Sequence, residues 1–123
     1  MGRIYSEAEA QKILQAIPFD SGFHFCTENG VYTKITAISL PDFAEKLHKI
    51  DVNSVIFHFP RSDFQEWINS TLRDEELACR ISKIKSNLSP ENIRKQLLRL
   101  VKKRIIELSR ISRNKLAGLY VEE

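Results

Sequence analysis

The 123 residues have the length of one ordinary domain, and 42% hydrophobic with 28% charged side chains is the composition of a soluble globular protein. No apolar run approaches the ~18 residues of a membrane-spanning helix, so we expect that this chain is not a membrane protein. The net charge is a modest +3, and its distribution along the chain is more informative than the total.

The N-terminal stretch "MGRIYSEAEAQ" lacks the apolar centre of a secretory signal and carries acids where a transit peptide avoids them. This predicts a cytoplasmic protein. In that compartment thiols stay reduced, so we expect Cys26 and Cys79 to be small, largely buried side chains rather than a disulfide.

The first predicted element is a helix of three turns that ends at Pro18. Ser6 stands three residues before Glu9, which is the spacing of a capping box. The apolar residues on one face of this helix are Ala10, Ile13, Leu14 and Ile17.

Two antiparallel strands are predicted next, in "FHFCT" and "GVYTKITAI", because both stretches are rich in aromatic and β-branched residues. The turn candidate "ENG" joins them. Asn29 and Gly30 can supply the positive φ angles that a tight hairpin needs.

A second helix is predicted from Ser39, with Pro41 in its first turn and Asp42 near the positive end of its dipole. The segment "NSVIFHFP" then predicts a third strand that ends at Pro60. Its two faces are both largely apolar, as in a central strand, with Val55, Phe57 and Phe59 on one side and Ile56 and His58 on the other.

Three consecutive helices are predicted in the rest of the chain. The first is capped by Ser62 or Asp63 and buries Trp67 as a core anchor. The second begins in "DEELACRISKI", with acids in its first turn and bases in its last. The third has Ser89 as its cap, proline at its first position, and continues to about Ser112.

This order of elements predicts an α+β fold, in which a small sheet of about three strands packs with helices. The C-terminal half is helical and ends in one long basic amphipathic helix. We expect a single domain over residues 1–123, with an N-terminal helix in 1–22, strands and a helix in 23–60, and the helical half in 61–123.

The tripeptide Phe-His-Phe occurs twice, around His24 and around His58, in a chain with three histidines. With Cys26 on the same sheet face, the two imidazoles would be a sensible start for a zinc site. The local spacing of zinc ligands is absent, however, so we predict no metal and no cofactor. Both histidines are expected to be half-buried strand residues with structural hydrogen bonds.

The junction "HFPRSDFQEW" brings together His58, Arg61 and Asp63 where a strand is predicted to end and a helix to begin. Helix N-terminal amides and a loop arginine can hold an anion, and a histidine beside carboxylates permits acid-base chemistry. No nucleophile accompanies them, and Asp63 stands where a helix cap belongs. The junction is therefore the candidate for a small-ligand site or an enzyme, as the alternative to a binding function.

Residues 23–84 resemble an uncharacterised, largely archaeal prokaryotic family known only as a domain of unknown function. The resemblance is carried by "FHF", "SLPDF", "FHFPRSDFQEWI" and "LRDEELA". The matching positions are Phe23, Phe25, Ser39, Leu40, Phe43, His58, Arg61, Asp63, Phe64, Trp67, Ile68, Leu72, Asp74, Leu77 and Ala78. The chain departs from the pattern at Ser62 and Arg73, where the family has glycine. The resemblance implies a fold unit and no activity.

The last helix separates into two surfaces when it is projected at ~100° per residue. The apolar arc contains Ile93, Leu97, Leu98, Leu100, Val101, Ile105, Leu108 and Ile111. The opposite arc is a basic stripe that contains Lys95, Arg99, Lys102, Lys103 and Arg110, extended by Arg113 if the helix continues. Arg104 falls in the apolar arc, which predicts a partner carboxylate, and Ile106 falls in the basic stripe, which predicts a contact with another chain.

The excess of basic residues on this helix favours a non-enzymatic binding or regulatory module with an anionic partner. RNA, the ribosome or other nucleic acid is expected first, and an acidic protein second. No helix-turn-helix turn or RNA-recognition aromatic pair is present, so sequence-specific reading is not expected. Ile106 further suggests a homodimer.

Overall fold

The computed structural model describes residues 4–113, which form an α+β fold as predicted. In chain order the elements are α1 (Glu7–Leu14), β1 (Phe23–Thr27), β2 (Val31–Ala37), α2 (Leu40–Lys49), α3 (Val52–His58), α4 (Asp63–Ser70), α5 (Glu75–Ser82) and α6 (Pro90–Ser112). The helical C-terminal half and its long last helix are confirmed. Within these residues, no helix is both long and apolar enough to cross a membrane.

Side-chain caps begin α1, α2 and α6 where the sequence predicts them, whereas Ser62 occupies the N-cap position of α4 without a capping hydrogen bond from its side chain. The Ser6 hydroxyl accepts from the Glu9 amide at 3.1 Å, and the Glu9 carboxylate accepts from the Ser6 amide at 2.9 Å, which is a complete capping box. The hydroxyls of Ser39 and Ser89 cap α2 and α6 by accepting from the amides of Asp42 and Asn92. Helix α1 is shorter than predicted because the chain is already extended at Gln15.

Strands β1 and β2 form the predicted hairpin, and the turn has Asn29 at φ 61° and Gly30 at φ 71°. The register shifts between Phe25 and Cys26, so that β2 has extra residues at this point and Lys34 adopts a φ of 70°. Such a bulge increases the local twist of a hairpin. The buried face of the sheet carries Phe23, Phe25 and Ala37, whose side chains pack into the core.

The predicted third strand is wrong, since Val52–His58 is helix α3 and the described sheet has two strands. Asp51 caps this helix by accepting from the Asn53 amide at 2.9 Å. A short run of apolar residues does not distinguish a strand from a helix by its pattern, and here the cap at Asp51 favours the helix. At the free edge of β1, side chains of α3 take the place of a neighbouring strand as hydrogen-bond partners of the backbone. At Cys26 the amide donates to His58 Nε2 and the carbonyl accepts from the Ser54 hydroxyl.

The core lies between the hairpin and the helices, and α6 packs against α1, α2, α3 and α5. An aromatic cluster joins the sheet to α2 and α4. Its rings are Phe23, Phe25, Phe43, Phe64 and Trp67, with neighbouring centroids about 5 to 6 Å apart. The predicted burial of Trp67 is confirmed at 8% exposure.

Ser62 and Arg73, where the family pattern has glycine, both adopt left-handed backbone with φ of 63° and 68°. Left-handed backbone costs a residue with a Cβ on the order of 1 kcal/mol, whereas glycine adopts it freely. The turns before α4 and α5 therefore use the left-handed backbone that glycine adopts most easily, although neither position is glycine.

The two cysteines are free thiols, and they differ in exposure. Cys26 is half-buried in β1. The prediction of a largely buried thiol is wrong for Cys79, which is exposed because α5 turns Leu77, Ala78 and Ile81 toward the core instead.

Candidate functional site

The outer face of α6 is an exposed surface whose charged side chains are all basic. The cations of the basic stripe, including Arg113 just after the helix, are all solvent-exposed: Lys95, Arg99, Lys102, Lys103, Arg110 and Arg113. Among residues 4–113, none of these six side chains forms an ion pair. The two acids of α6, Glu91 and Glu107, lie outside the stripe and are paired with Arg94 and Arg104. The positive charge of the stripe is therefore not neutralised within the described chain.

Arg94 on the same helix has a structural role, which is to bind backbone carbonyls at the end of α2. Its side chain is buried, and Nη1 donates at 2.8 Å to the carbonyls of Leu47 and Ile50, at the C-terminal end of α2. A guanidinium at this position satisfies carbonyls that a helix end leaves without partners and complements the helix dipole. Arg94 therefore fastens α2 to α6 and is not available to a partner.

Arg104 confirms the expectation of a partner carboxylate, and that partner is Asp74, the N-cap of α5. The guanidinium donates from Nε and Nη2 to the two Asp74 oxygens, both at 3.0 Å, with Asp74 fully buried. It also binds Glu107, which in turn pairs with Arg80. Burial opposes the charge of Arg104, but Asp74 and Glu107 outweigh it and raise its pKa. Three of the basic residues in the C-terminal third, Arg80, Arg94 and Arg104, thus serve the fold.

Ile106 is 52% exposed, as its position in the stripe predicts. It lies near the middle of the exposed arc, one helical turn from Lys102, Lys103 and Arg110. A half-exposed isoleucine surrounded by unpaired cations does not contribute to the core. It is available to whatever contacts the stripe.

The second candidate site, the junction of His58, Arg61 and Asp63, is assembled as the sequence predicts, although His58 ends a helix instead of a strand. Asp63 Oδ2 lies 2.8 Å from both His58 Nδ1 and Arg61 Nε. The Arg61 guanidinium also covers the Phe57 ring, 4.7 Å from its centroid. These contacts tie the end of α3 to the start of α4.

The hydrogen bonds of His58 determine its protonation. The Cys26 amide can only donate, so Nε2 at 2.8 Å must accept, and the proton of a neutral ring lies on Nδ1, facing Asp63. Both nitrogens are engaged, and the side chain is buried. No ring nitrogen is left to accept a proton from a substrate, so the geometry favours a structural role for this histidine.

Stability is expected to fall as the pH drops below about 6.5, toward the lowered pKa of His58 in the folded chain. Burial lowers the pKa of His58 below its usual 6.5, against the raising effect of Asp63, because the imidazolium is poorly solvated there. The unfolded chain then binds more protons than the folded one below pH ~6.5, so this contribution is complete above that pH and decreases toward the folded pKa. Urea unfolding at several pH values measures the slope.

The variant His58→Gln is expected to lose about 1 to 3 kcal/mol at neutral pH and to flatten this slope, while binding to an anionic partner stays near normal. The matched control is His48→Gln, since His48 is exposed on α2. An unchanged slope in His58→Gln would show that another group titrates, and loss of binding in the folded variant would assign His58 a functional role.

His24 and His58 do not face each other. His24 Nδ1 bonds the Thr36 hydroxyl at 2.8 Å, which in turn bonds the Tyr32 hydroxyl, on the side of the sheet away from His58. In the part of the chain that the structure describes, no group of three or more His, Cys, Asp or Glu residues is placed to hold a metal ion.

A surface groove of about 770 Å³ lies between α1 and the connection from α4 to α5. Charged and polar residues line it, among them Lys12, Arg73 and Glu75. His58, Arg61 and Asp63 are not part of its lining, so the groove and the junction are separate features.

Comparison with known proteins adds no family to these observations. The chain matches no family model, no curated protein and no solved structure. The resemblance of residues 23–84 to an archaeal family thus stays a prediction.

Proposed function

We propose that this chain is a non-enzymatic binding module whose basic stripe on α6 contacts the phosphates of a nucleic acid, such as RNA, ribosomal RNA or DNA. One observation carries the proposal: five exposed cations occupy one arc of α6, Arg113 extends this arc just after the helix, and none of the six forms an ion pair with a described acid. Phosphate contacts of this kind release condensed counterions and supply most of the affinity of non-specific binding.

The architecture supports this assignment because it separates the stripe from the fold. Arg80, Arg94 and Arg104 are used internally, whereas the stripe residues contribute nothing that the core requires. Exposed charges add little to stability, so their concentration on one face is not explained by folding. The junction at His58 lacks a free ring nitrogen, which makes the enzyme alternative the weaker one.

Replacing Lys95, Arg99, Lys102 and Lys103 together with glutamine is expected to weaken nucleic-acid binding by about 100-fold or more. The salt dependence should flatten, with the slope of log K against log salt decreasing in magnitude by about 3 to 4, because each lost cation removes one counterion-release contribution. Fluorescence anisotropy with labelled RNA and DNA at several salt concentrations measures both quantities. The melting temperature should hardly change.

The matched control removes the same charge from other faces. It replaces four exposed cations outside α6 with glutamine: Lys12, Lys34, Lys49 and Arg73. Because net charge acts over long range whereas phosphate contacts act locally, this control should keep most of the affinity and the slope. Equal affinity and slope in the stripe variant and the parent chain would sink the proposal.

Ile106 favours a second candidate, an acidic protein segment that places an apolar side chain over it. Apolar anchors surrounded by a polar rim are typical of protein interfaces. The variant Ile106→Lys separates the two candidates. An added cation should not weaken binding to phosphates, whereas it should weaken an interface anchored on isoleucine by about 10-fold or more.

A homodimer through the same face is disfavoured by charge. Two copies joined at Ile106 would bring two unpaired basic stripes together, and like charges at an interface cost several kcal/mol. A partner of opposite charge avoids this repulsion, so we assign the stripe to a nucleic acid and not to a second copy.

A further inference from the structure

We infer that the basic stripe is built for double-helical nucleic acid, with α6 lying across a groove and contacting the backbones on both sides. This inference rests on the proposed function and specifies which form of nucleic acid, double-stranded or single-stranded, the stripe binds. It comes from the spacing of the cations along the helix.

The cations of the stripe form two groups along the helix axis. The first group contains Lys95, Arg99, Lys102 and Lys103, and the second contains Arg110 and Arg113. At ~1.5 Å per residue, Lys103 and Arg110 are about 10 Å apart along the axis. Within this gap the exposed arc carries Ile106 and no charge.

A double helix offers two lines of phosphates separated by a groove, and the major groove of B-form DNA is ~12 Å wide. Each cation group can neutralise one backbone, while Ile106 faces the groove, where no phosphate requires a charge. The long side chains of lysine and arginine absorb the small difference between the two distances. A single strand has only one line of phosphates, and the uncharged gap would leave part of it without contacts.

Two further features of α6 count against single strands. Proteins that bind single-stranded nucleic acid stack its bases on aromatic side chains, and the exposed arc of α6 carries none. Among residues 4–113, the exposed aromatic residues are Phe19, which lies before the hairpin, and Tyr32, which lies in its second strand; neither is on α6. The helix also packs against α1, α2, α3 and α5, so the fold fixes the separation of its two cation groups, which does not adjust to a single line of phosphates.

The test measures binding of the full chain to a mixed-sequence duplex of about 20 base pairs and to each of its separated strands, as RNA and as DNA, at roughly 0.1 M salt. At least one duplex is expected to bind about 10-fold tighter than its strands, because the duplex engages both cation groups. The RNA and DNA arms show which double helix is preferred. Equal or tighter binding of the single strands would overturn this inference and leave the proposed function intact, whereas absence of binding to all six probes would refute both.

The variant Arg110→Gln/Arg113→Gln tests the contact with the second backbone. It should remove most of the preference for duplex, since the remaining group can follow a single line of phosphates. The matched control is Lys12→Gln/Lys49→Gln, which removes the same charge from α1 and α2. A duplex preference that is equal in both variants would show that α6 does not bridge a groove.

Discussion

Replacing Asp74 with alanine is expected to lower the free energy of unfolding by about 3 to 5 kcal/mol, because the change leaves the buried Arg104 guanidinium without its main counterion. Asp74 is 0% exposed and accepts two hydrogen bonds from Arg104. It also caps α5 by accepting from the Leu77 amide at 3.2 Å, so the variant loses a helix cap as well. Urea unfolding followed by circular dichroism measures the loss.

Two matched variants separate these contributions. Asp74→Asn keeps a capping side chain and removes the charge. Its decrease in the free energy of unfolding should therefore come from the lost ion pair and not from the lost cap. The double variant Asp74→Ala/Arg104→Leu removes both charges and should be more stable than Asp74→Ala alone, since no unpaired charge stays buried. A double variant less stable than Asp74→Ala would show that Arg104 stabilises the fold without Asp74.

The replacement Trp67→Ala is expected to cost about 3 to 5 kcal/mol, the usual range for removing a buried aromatic ring and leaving a cavity. Trp67 packs against Phe23 and Phe43, and its indole Nε1 donates to the Ser21 carbonyl at 2.9 Å. It joins α4 to the segment that leads into β1. Denaturant unfolding gives the change in free energy.

Trp67 is the single tryptophan of the chain, so native fluorescence reports on it directly. A blue-shifted emission maximum that moves to longer wavelength on unfolding is expected for a buried indole. Trp67→Phe is the conservative control, because it keeps most of the ring contacts and should cost less than the alanine variant. A native emission maximum typical of a water-exposed indole would contradict the assignment.

The starts of α1, α2 and α6 follow from sequence because their causes are local. Ser6, Ser39 and Ser89 each bind an amide three residues away, and a pattern of a few residues contains all of that information. The same holds for the turn at Asn29 and Gly30. The periodicity of α6 likewise separates its buried face from the basic stripe, so the residues of the candidate site could be predicted without the fold.

The sequence also predicted that Arg104 needs a carboxylate, but not which one. Asp74 lies 30 residues away, and the carbonyls that Arg94 binds are more than 40 residues away. Partners at such separation meet only when α5, α2 and α6 pack, so no local pattern contains them. Arg94 falls inside the apolar arc, between Val101 and Ile105 in the projection, and this position was the one signal that it would be buried.

Helix α3 shows the same limit for secondary structure. The residues from Val55 to Phe59 suit a strand or a buried helix equally well, and the capping by Asp51 together with the packing of α3 beside β1 decides for the helix. The position of His58 follows from that choice, because only a helix places it and Ser54 one turn apart against the edge of β1. Local signals thus determined where α1, α2 and α6 begin and which face of α6 is basic. Tertiary packing decided which basic side chains bind inside the fold and which stay exposed on that face, since Arg80, Arg94 and Arg104 each bind groups that are distant in sequence.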